Sequence, residues 1–154
     1  MTFEVGQYAV ADPEVAPLLA ELAVEYEERY GSRSATELTK YPPAEFAPPR
    51  GVLLIVRENG ESVAGGAFKR YDERTAEVKR MWTHSAHRRR GLARLVLAEL
   101  EAEAKRRGYL RLFLTTGPKQ PEAAALYLAT GYRGLDASGI DTEGFGLLAF
   151  EKDL

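Results

Sequence analysis

Lys79–Gly91 reads KRMWTHSAHRRRG. The stretch starts inside a strand-like run, Thr75–Thr83, crosses a short basic loop and ends where a helical pattern begins at about Gly91. A helix leaves its first N–H groups without partners and carries positive partial charge at that end. Phosphate binds readily there. Gly91 and Ala93 keep the first turn bare, and Arg88, Arg89 and Arg90 add charge at the same spot. The loop is therefore a candidate pyrophosphate site. Two blander readings fit the same arginines, a solvated loop and a nucleic-acid patch. The acidic balance of the chain, 21 Lys and Arg against 23 Asp and Glu, counts against the second.

Working outward, the residues before this stretch read as strands. Gly51–Arg57 (GVLLIVR) is apolar throughout, and Asn59-Gly60 signals a tight hairpin, because both central residues of a type I′ turn need positive φ. Glu61–Tyr71 returns as the partner, with Gly65-Gly66 marking a bulge or a close backbone approach. Asp72–Thr75 turns into the next strand, completing an antiparallel meander. Earlier, Phe3–Ala11 reads as a strand. Asp12-Pro13 reads as an N-cap with proline at the first helical position, before a helix with Val15, Leu18, Leu19, Leu22 and Tyr26 on one face and Gly31 as its stop. The proline-rich residues 32–50 allow a short helix at most.

Beyond Gly91 the period changes. Leu92, Val96 and Leu100 repeat every four residues, Glu101/Lys105 and Glu103/Arg107 form i,i+4 pairs, and Gly108 closes the helix. Tyr109–Thr115 is a strand entered from a helix, which favours a parallel neighbour. Gln120–Thr130 is an alanine-rich helix closed by Gly131. A short strand, the loop Gly134–Gly144 and a strand over Phe145–Lys152 follow. The order β-α-(short α)-β-β-β-α-β-α-β-β predicts one α+β domain over residues 1–154, a mixed sheet with a central antiparallel meander and a parallel pair in the middle.

Composition narrows the chemistry. The 154 residues fit one domain, and the absence of cysteine excludes disulfides, thiolate metal sites and a cysteine nucleophile. We expect no metal cofactor. No apolar run reaches membrane-spanning length, and the N-terminal residues lack a basic segment followed by a long apolar one. A cytoplasmic protein with no membrane or nucleic-acid partner is the expectation.

Arg88-Arg89-Arg90-Gly91-Leu92-Ala93 resembles the signature of the GNAT N-acetyltransferase superfamily: Arg or Gln, two residues, Gly, one residue, then Gly or Ala. It stands after the fourth strand and opens the long helix, as in that family. Gln120–Tyr132 (QPEAAALYLATGY) resembles the family's second segment, with Gln where Asn is usual. The resemblance runs over roughly residues 50–154. It implies acetyl-CoA as cosubstrate and an amine acceptor, a small molecule or a peptide. It also implies roles. Met81 and Thr83 match the strand positions that pair with the pantetheine arm, with the N–H of Met81 or Trp82 near the thioester carbonyl. Arg88, Arg89, Arg90, Gly91, Leu92 and Ala93 cradle the pyrophosphate, Gln120 contacts the cofactor, and Tyr127 stands near the thioester sulfur.

A lysine-like amine, with a pKa near 10.4, must lose a proton before it attacks. Without cysteine no cysteinyl acyl-enzyme forms, so direct attack in a ternary complex is expected. Glu77 is the candidate base, directly or through water, because a catalytic glutamate of the histone-acetyltransferase branch has a similar placement. An ordinary solvent-facing strand glutamate is the other reading. His84 and His87 are alternatives that also fit as lining of the phosphate loop. Tyr127 is the candidate acid for the thiolate, or an aromatic packed under its helix. Trp82 lines an acceptor channel or belongs to the core. In this family the acceptor meets the first helix, the loop after it and the late loop. Here those regions hold Tyr26, Tyr30, Tyr41, Phe46, Asp136, Asp141 and Glu143, which suits a cationic acceptor or plain loop packing. A homodimer is possible. A CoA-binding sensor without chemistry is the alternative function.

Overall fold

The structure is a computed structural model that describes residues 2–30, 41–118, 120–137 and 146–154, with backbone only at 29 and 30. Its elements are β1 (Glu4–Gln7), α1 (Ala16–Tyr30), β2 (Val52–Glu58), β3 (Glu61–Arg70), β4 (Thr75–Thr83), α2 (Leu92–Arg106), β5 (Arg111–Thr116), α3 (Pro121–Ala129), β6 (Arg133–Leu135) and β7 (Leu148–Asp153). The strands form one sheet in the order β1-β2-β3-β4-β5-β7-β6. Every pairing is antiparallel except β4 with β5. This is the expected α+β architecture, with the parallel pair where the helix-to-strand transition had placed it.

The apolar run of β2 is continuous because both faces of the sheet are covered. Val52, Leu54 and Val56 pack with Val96, Leu97 and Leu100 of α2, while Leu53 and Ile55 pack with Leu18 and Leu22 of α1. Asn59 and Gly60 adopt φ of 53° and 81°, the hairpin geometry the pair predicts.

Several boundaries move. The first strand is four residues, Glu4–Gln7, rather than Phe3–Ala11. Asp12 does cap, accepting from the Glu14 N–H at 3.0 Å, but it caps a 3-10 turn, Pro13–Val15, that leads into α1. The proline-rich connection holds a 3-10 turn at Pro43–Phe46. Strand β5 begins at Arg111, because Tyr109 turns inward and donates its hydroxyl to the Arg50 carbonyl at 2.6 Å. The last strand begins at Leu148. The expected helix stop at Gly31 lies outside the described residues, as does Phe145. Glu103 pairs with Arg107 at 2.9 Å as its spacing predicts. Glu101 does not pair with Lys105; its carboxylate accepts from the Tyr132 hydroxyl at 2.9 Å and Lys152 at 3.0 Å.

The glycine pair has a sharper role than its sequence implies. Pairing shifts between Gly65↔Trp82 and Ala67↔Lys79, so two residues of β4, Arg80 and Met81, oppose Gly66. The extra residue thus sits on β4, not on the glycine strand, and Arg80 takes φ 59° there. The bulge resets the alternation. Glu77, Lys79, Arg80 and Trp82 all face the α1 side, while Val78 and Met81 pack toward α2. Glycine is required opposite because the gap is closed. A Cβ on Gly65 would lie 2.7 Å from the Leu54 carbonyl oxygen, and one on Gly66 2.8 Å from the Met81 sulfur.

Among the described residues no helix is long and apolar enough to cross a membrane. Gly65→Ala is expected to lower stability by about 1–3 kcal/mol through overpacking. Urea denaturation checks this, and an unchanged midpoint would show that the strand relaxes freely.

Candidate functional site

Strands β4 and β5 pair over only three positions, Thr75↔Arg111, Ala76↔Leu112 and Glu77↔Phe113. Both strands continue, β4 to Thr83 and β5 to Thr116. From Val78 onward the β5-facing edge of β4 has no ladder partner among the described residues. The sheet therefore opens into a cleft whose vertex is Glu77. Met81 and Thr83 are half-buried along this edge, where an extended ligand can add main-chain hydrogen bonds.

The strand then runs into the loop that ends at α2. Arg88 is extended, Arg89 has φ 63°, and Gly91, the N-cap, has φ 76°. Left-handed residues alternating with right-handed or extended ones turn successive N–H groups toward one concave side, a geometry that binds anions. Leu95 is the first residue of α2 to donate back, to the Gly91 carbonyl at 3.1 Å. The N–H groups of Leu92, Ala93 and Arg94 find no acceptor among the described residues. Gly91 leaves the approach open, since a Cβ there would meet nothing within 4 Å. Its need for glycine is conformational.

The three arginines are not equivalent, which corrects the reading that all add charge at one spot. Arg90 turns away from the helix start. Its guanidinium grips Glu58 of β2 at 2.9 and 2.6 Å and donates to Nδ1 of His87 at 2.9 Å. The hydrogen bonds from Arg90 to Glu58 are the main cause that holds the Glu58 carboxyl below its ordinary range. Arg88 lies 3.8 Å from Glu25 of α1, and Arg89 is exposed. Arg90 thus anchors the loop. His84 caps the 3-10 turn Ser85–His87, its Nδ1 accepting from the Ala86 N–H at 3.0 Å. Both histidines thus make hydrogen bonds within the loop.

Trp82 belongs to the core on the α1 side, 3% exposed, and its indole N–H donates to Glu21 of α1 at 3.0 Å. Glu77 is buried rather than solvent-facing, and its carboxylate lies 3.5 Å from both Lys69 and Lys79. Two of the rings expected to receive a cationic acceptor, Tyr41 and Phe46, already carry cations of this chain. Lys69 and Lys79 sit 4.6 and 5.2 Å from the Tyr41 ring centre, and Arg80 sits 4.5 Å from that of Phe46. Asp141, Glu143 and the Tyr30 side chain lie outside the described residues.

Gln120 is the N-cap of α3, but its side chain makes no capping bond to the helix. Its side-chain oxygen accepts from the Thr116 hydroxyl at 3.0 Å and the Gly117 N–H at 3.3 Å, tying the helix start to the end of β5. Tyr127 packs against Tyr132 and Phe150, with ring centres 5.8 and 5.6 Å away. Its hydroxyl has no hydrogen-bond partner among the described residues, and burial pushes the phenol up to about 12.

Glu21, Glu58 and Lys69 are the contributors that residue-by-residue reading missed. Each is one charge on an unremarkable strand or helix, and only the sheet order brings it to the site. Among the described residues no three His, Asp or Glu side chains gather as a metal site would require.

The Acetyltransferase (GNAT) family model matches residues 16–132. The chain belongs to this family. A GNAT relative, the uncharacterized N-acetyltransferase YsnE of Bacillus subtilis, is 42% identical over 77 residues, which is 48% of this chain and 51% of that protein. The chain thus spans about half the length of that curated relative. Among solved GNAT-type structures, a proposed acyl-CoA N-acyltransferase of Klebsiella pneumoniae is 28% identical, with a TM-score of 0.78 over 99% of this chain and 98% of that one. The PaiA N-acetyltransferase of Thermoplasma acidophilum, solved in complex with coenzyme A, shares the fold at 16% identity, with a TM-score of 0.78 over 100% of both chains.

A phenol near 12 in the fold and near 10 in the unfolded chain stays neutral longest in the folded state. Its contribution is whole below pH 10 and is lost as pH rises from 10 through 12. Raising the pH from 8 to 11 should therefore destabilise the wild type by about 1 kcal/mol more than Tyr127→Phe. Denaturant titrations of both proteins at the two pH values measure it, and equal losses would show an exposed phenol.

Proposed function

We propose that this GNAT chain transfers an acetyl group from acetyl-coenzyme A to an amine by direct attack in a ternary complex. One observation carries the reading: among the described residues, a strand edge that loses its partner after Glu77 leads, through a single loop, to a helix start with three N–H groups awaiting an acceptor. Such a pair suits a ligand with an amide-bearing arm and a phosphate group. The Thermoplasma acidophilum relative, solved with coenzyme A, supports it through the shared fold.

In this account Arg88 through Ala93 hold the pyrophosphate, chiefly through backbone N–H groups. Leu92, Ala93 and Arg94 supply those still without acceptors. Met81, Trp82 and Thr83 present the β4 edge to the pantetheine arm, and the Met81 or Trp82 N–H polarises the thioester carbonyl. Gln120 fixes the end of β5 against α3 beside the arm. When bound, acetyl-CoA supplies the activated acyl carbon. The amine nitrogen forms the new C–N bond, the C–S bond breaks with its electron pair on sulfur, and Glu77 takes the amine proton, directly or through water. A phenol near 12 is a weaker acid than a thiol near 8.5. Tyr127 therefore steadies the leaving sulfur by donating a hydrogen bond and keeps its own proton.

The acceptor meets the α1 face of the cleft. With Tyr41 and Phe46 already holding Lys69, Lys79 and Arg80, aromatic capture of a cation is not what this wall offers.

Acetyl-CoA at about 100 times its dissociation constant should add roughly 2.7 kcal/mol and raise the melting temperature by several degrees. Gly91→Glu, which puts bulk and negative charge at the helix start, should abolish most of that rise. Thiol release in a panel of amines then tests transfer. Binding without release for any amine would make the chain a CoA sensor. No thermal shift at millimolar ligand would overturn the proposal.

A further inference from the structure

Helix α1 is bound to the cleft by one side chain that no motif marks. The Glu21 carboxylate accepts three hydrogen bonds: from the Trp82 indole N–H at 3.0 Å, from the Ser85 backbone N–H at 3.0 Å and from the Ser85 hydroxyl at 2.7 Å. Trp82 is on the open edge of β4, and Ser85 is the first residue of the turn that leads to Arg88–Gly91. Burial works against the charged form of Glu21, but the bonds from Ser85 and Trp82 outweigh it and hold its carboxyl below the ordinary range. One turn further along α1, Glu25 lies 3.8 Å from Arg88, so the same helix face meets the loop twice.

The loop's other anchor is the Arg90–Glu58 pair at the β2–β3 hairpin. These two anchors hold the loop that delivers the chain to the start of α2, where the N–H groups of Leu92, Ala93 and Arg94 follow shortly after Arg90. Within the loop Arg89 is held in a left-handed conformation, which costs energy for a residue with a side chain and persists only where neighbours impose it. Glu21 acts at the point where strand becomes loop, and its bonds are of the charge-assisted kind, about twice as strong as neutral ones.

We propose that Glu21 is a positioning residue for the acyl donor: it fixes the exit of β4 relative to α1, so that the strand edge and the helix start face one ligand at the correct separation. This rests on the acetyl-CoA reading above. It also joins the two substrate sides, because α1 walls the acceptor face while its carboxylate sets the donor face.

Calorimetric titration with coenzyme A tests it, since stoichiometry reports the fraction of folded sites and the dissociation constant reports their geometry. Glu21→Gln keeps the shape and loses the charge, and is expected to weaken coenzyme A binding about tenfold at unchanged stoichiometry. Ser85→Ala removes one of the three bonds and is expected to weaken it about two- to threefold. A purely structural glutamate would lower the melting temperature and the stoichiometry and leave the dissociation constant at its wild-type value; that result overturns the proposal. If Glu21→Gln fails to fold, Ser85→Ala decides alone, and wild-type affinity in that variant also overturns it. A wild-type protein that does not bind coenzyme A refutes the acetyl-CoA reading itself, a result distinct from wild-type affinity in the variants.

Discussion

Everything in this molecule follows from the point where β4 and β5 part company. A sheet edge inside a domain leaves N–H and C=O groups that must find partners elsewhere. Here the parting comes after Glu77 and Phe113, and the bulge at Arg80 and Met81 bends β4 within the next turn of chain. The two features are linked. The bulge needs a strand with no side chain opposite, which Gly66 supplies, and it brings Arg80 onto the face that Glu77 and Lys79 already share by strand alternation. The result is a cleft with a carboxylate at its vertex, basic side chains on one wall and bare backbone along one edge.

The helix start beside the cleft shows how charge is apportioned. Arg90 is bound to Glu58 and His87, and Arg88 faces Glu25, so the loop's arginines serve largely to hold the loop. The proposed anion site is then mainly backbone, built from N–H groups that α2 cannot satisfy internally. Such a site is less sensitive to salt than a cluster of exposed arginines, because its dipoles are fixed by fold rather than by mobile side chains.

The fold was largely legible from local patterns. Asn59-Gly60 announced its hairpin, Thr75–Thr83 was bounded correctly, and the change of period at Gly91 marked the strand-to-helix passage. Those signals are local and backbone-driven. The helix start at Gly91 was legible too, because it is also a matter of backbone. Side-chain partners were not. Glu101 spaced itself for Lys105 yet turns to Tyr132 and Lys152, and Glu21 gave no signal at all, because both depend on which strand lies beside which helix. The placement of Glu77 against two lysines arises for the same reason, from β3 pairing with β4 in one register.

The central claim is that acetyl-CoA lies along the β4 edge with its phosphates on the start of α2. Amide-resolved NMR titration with coenzyme A tests this most directly. The account predicts saturable shifts of the Met81, Trp82 and Thr83 amides together with those of Gly91, Leu92, Ala93 and Arg94. Saturable binding that shifts other amides and leaves these two groups unmoved would contradict it.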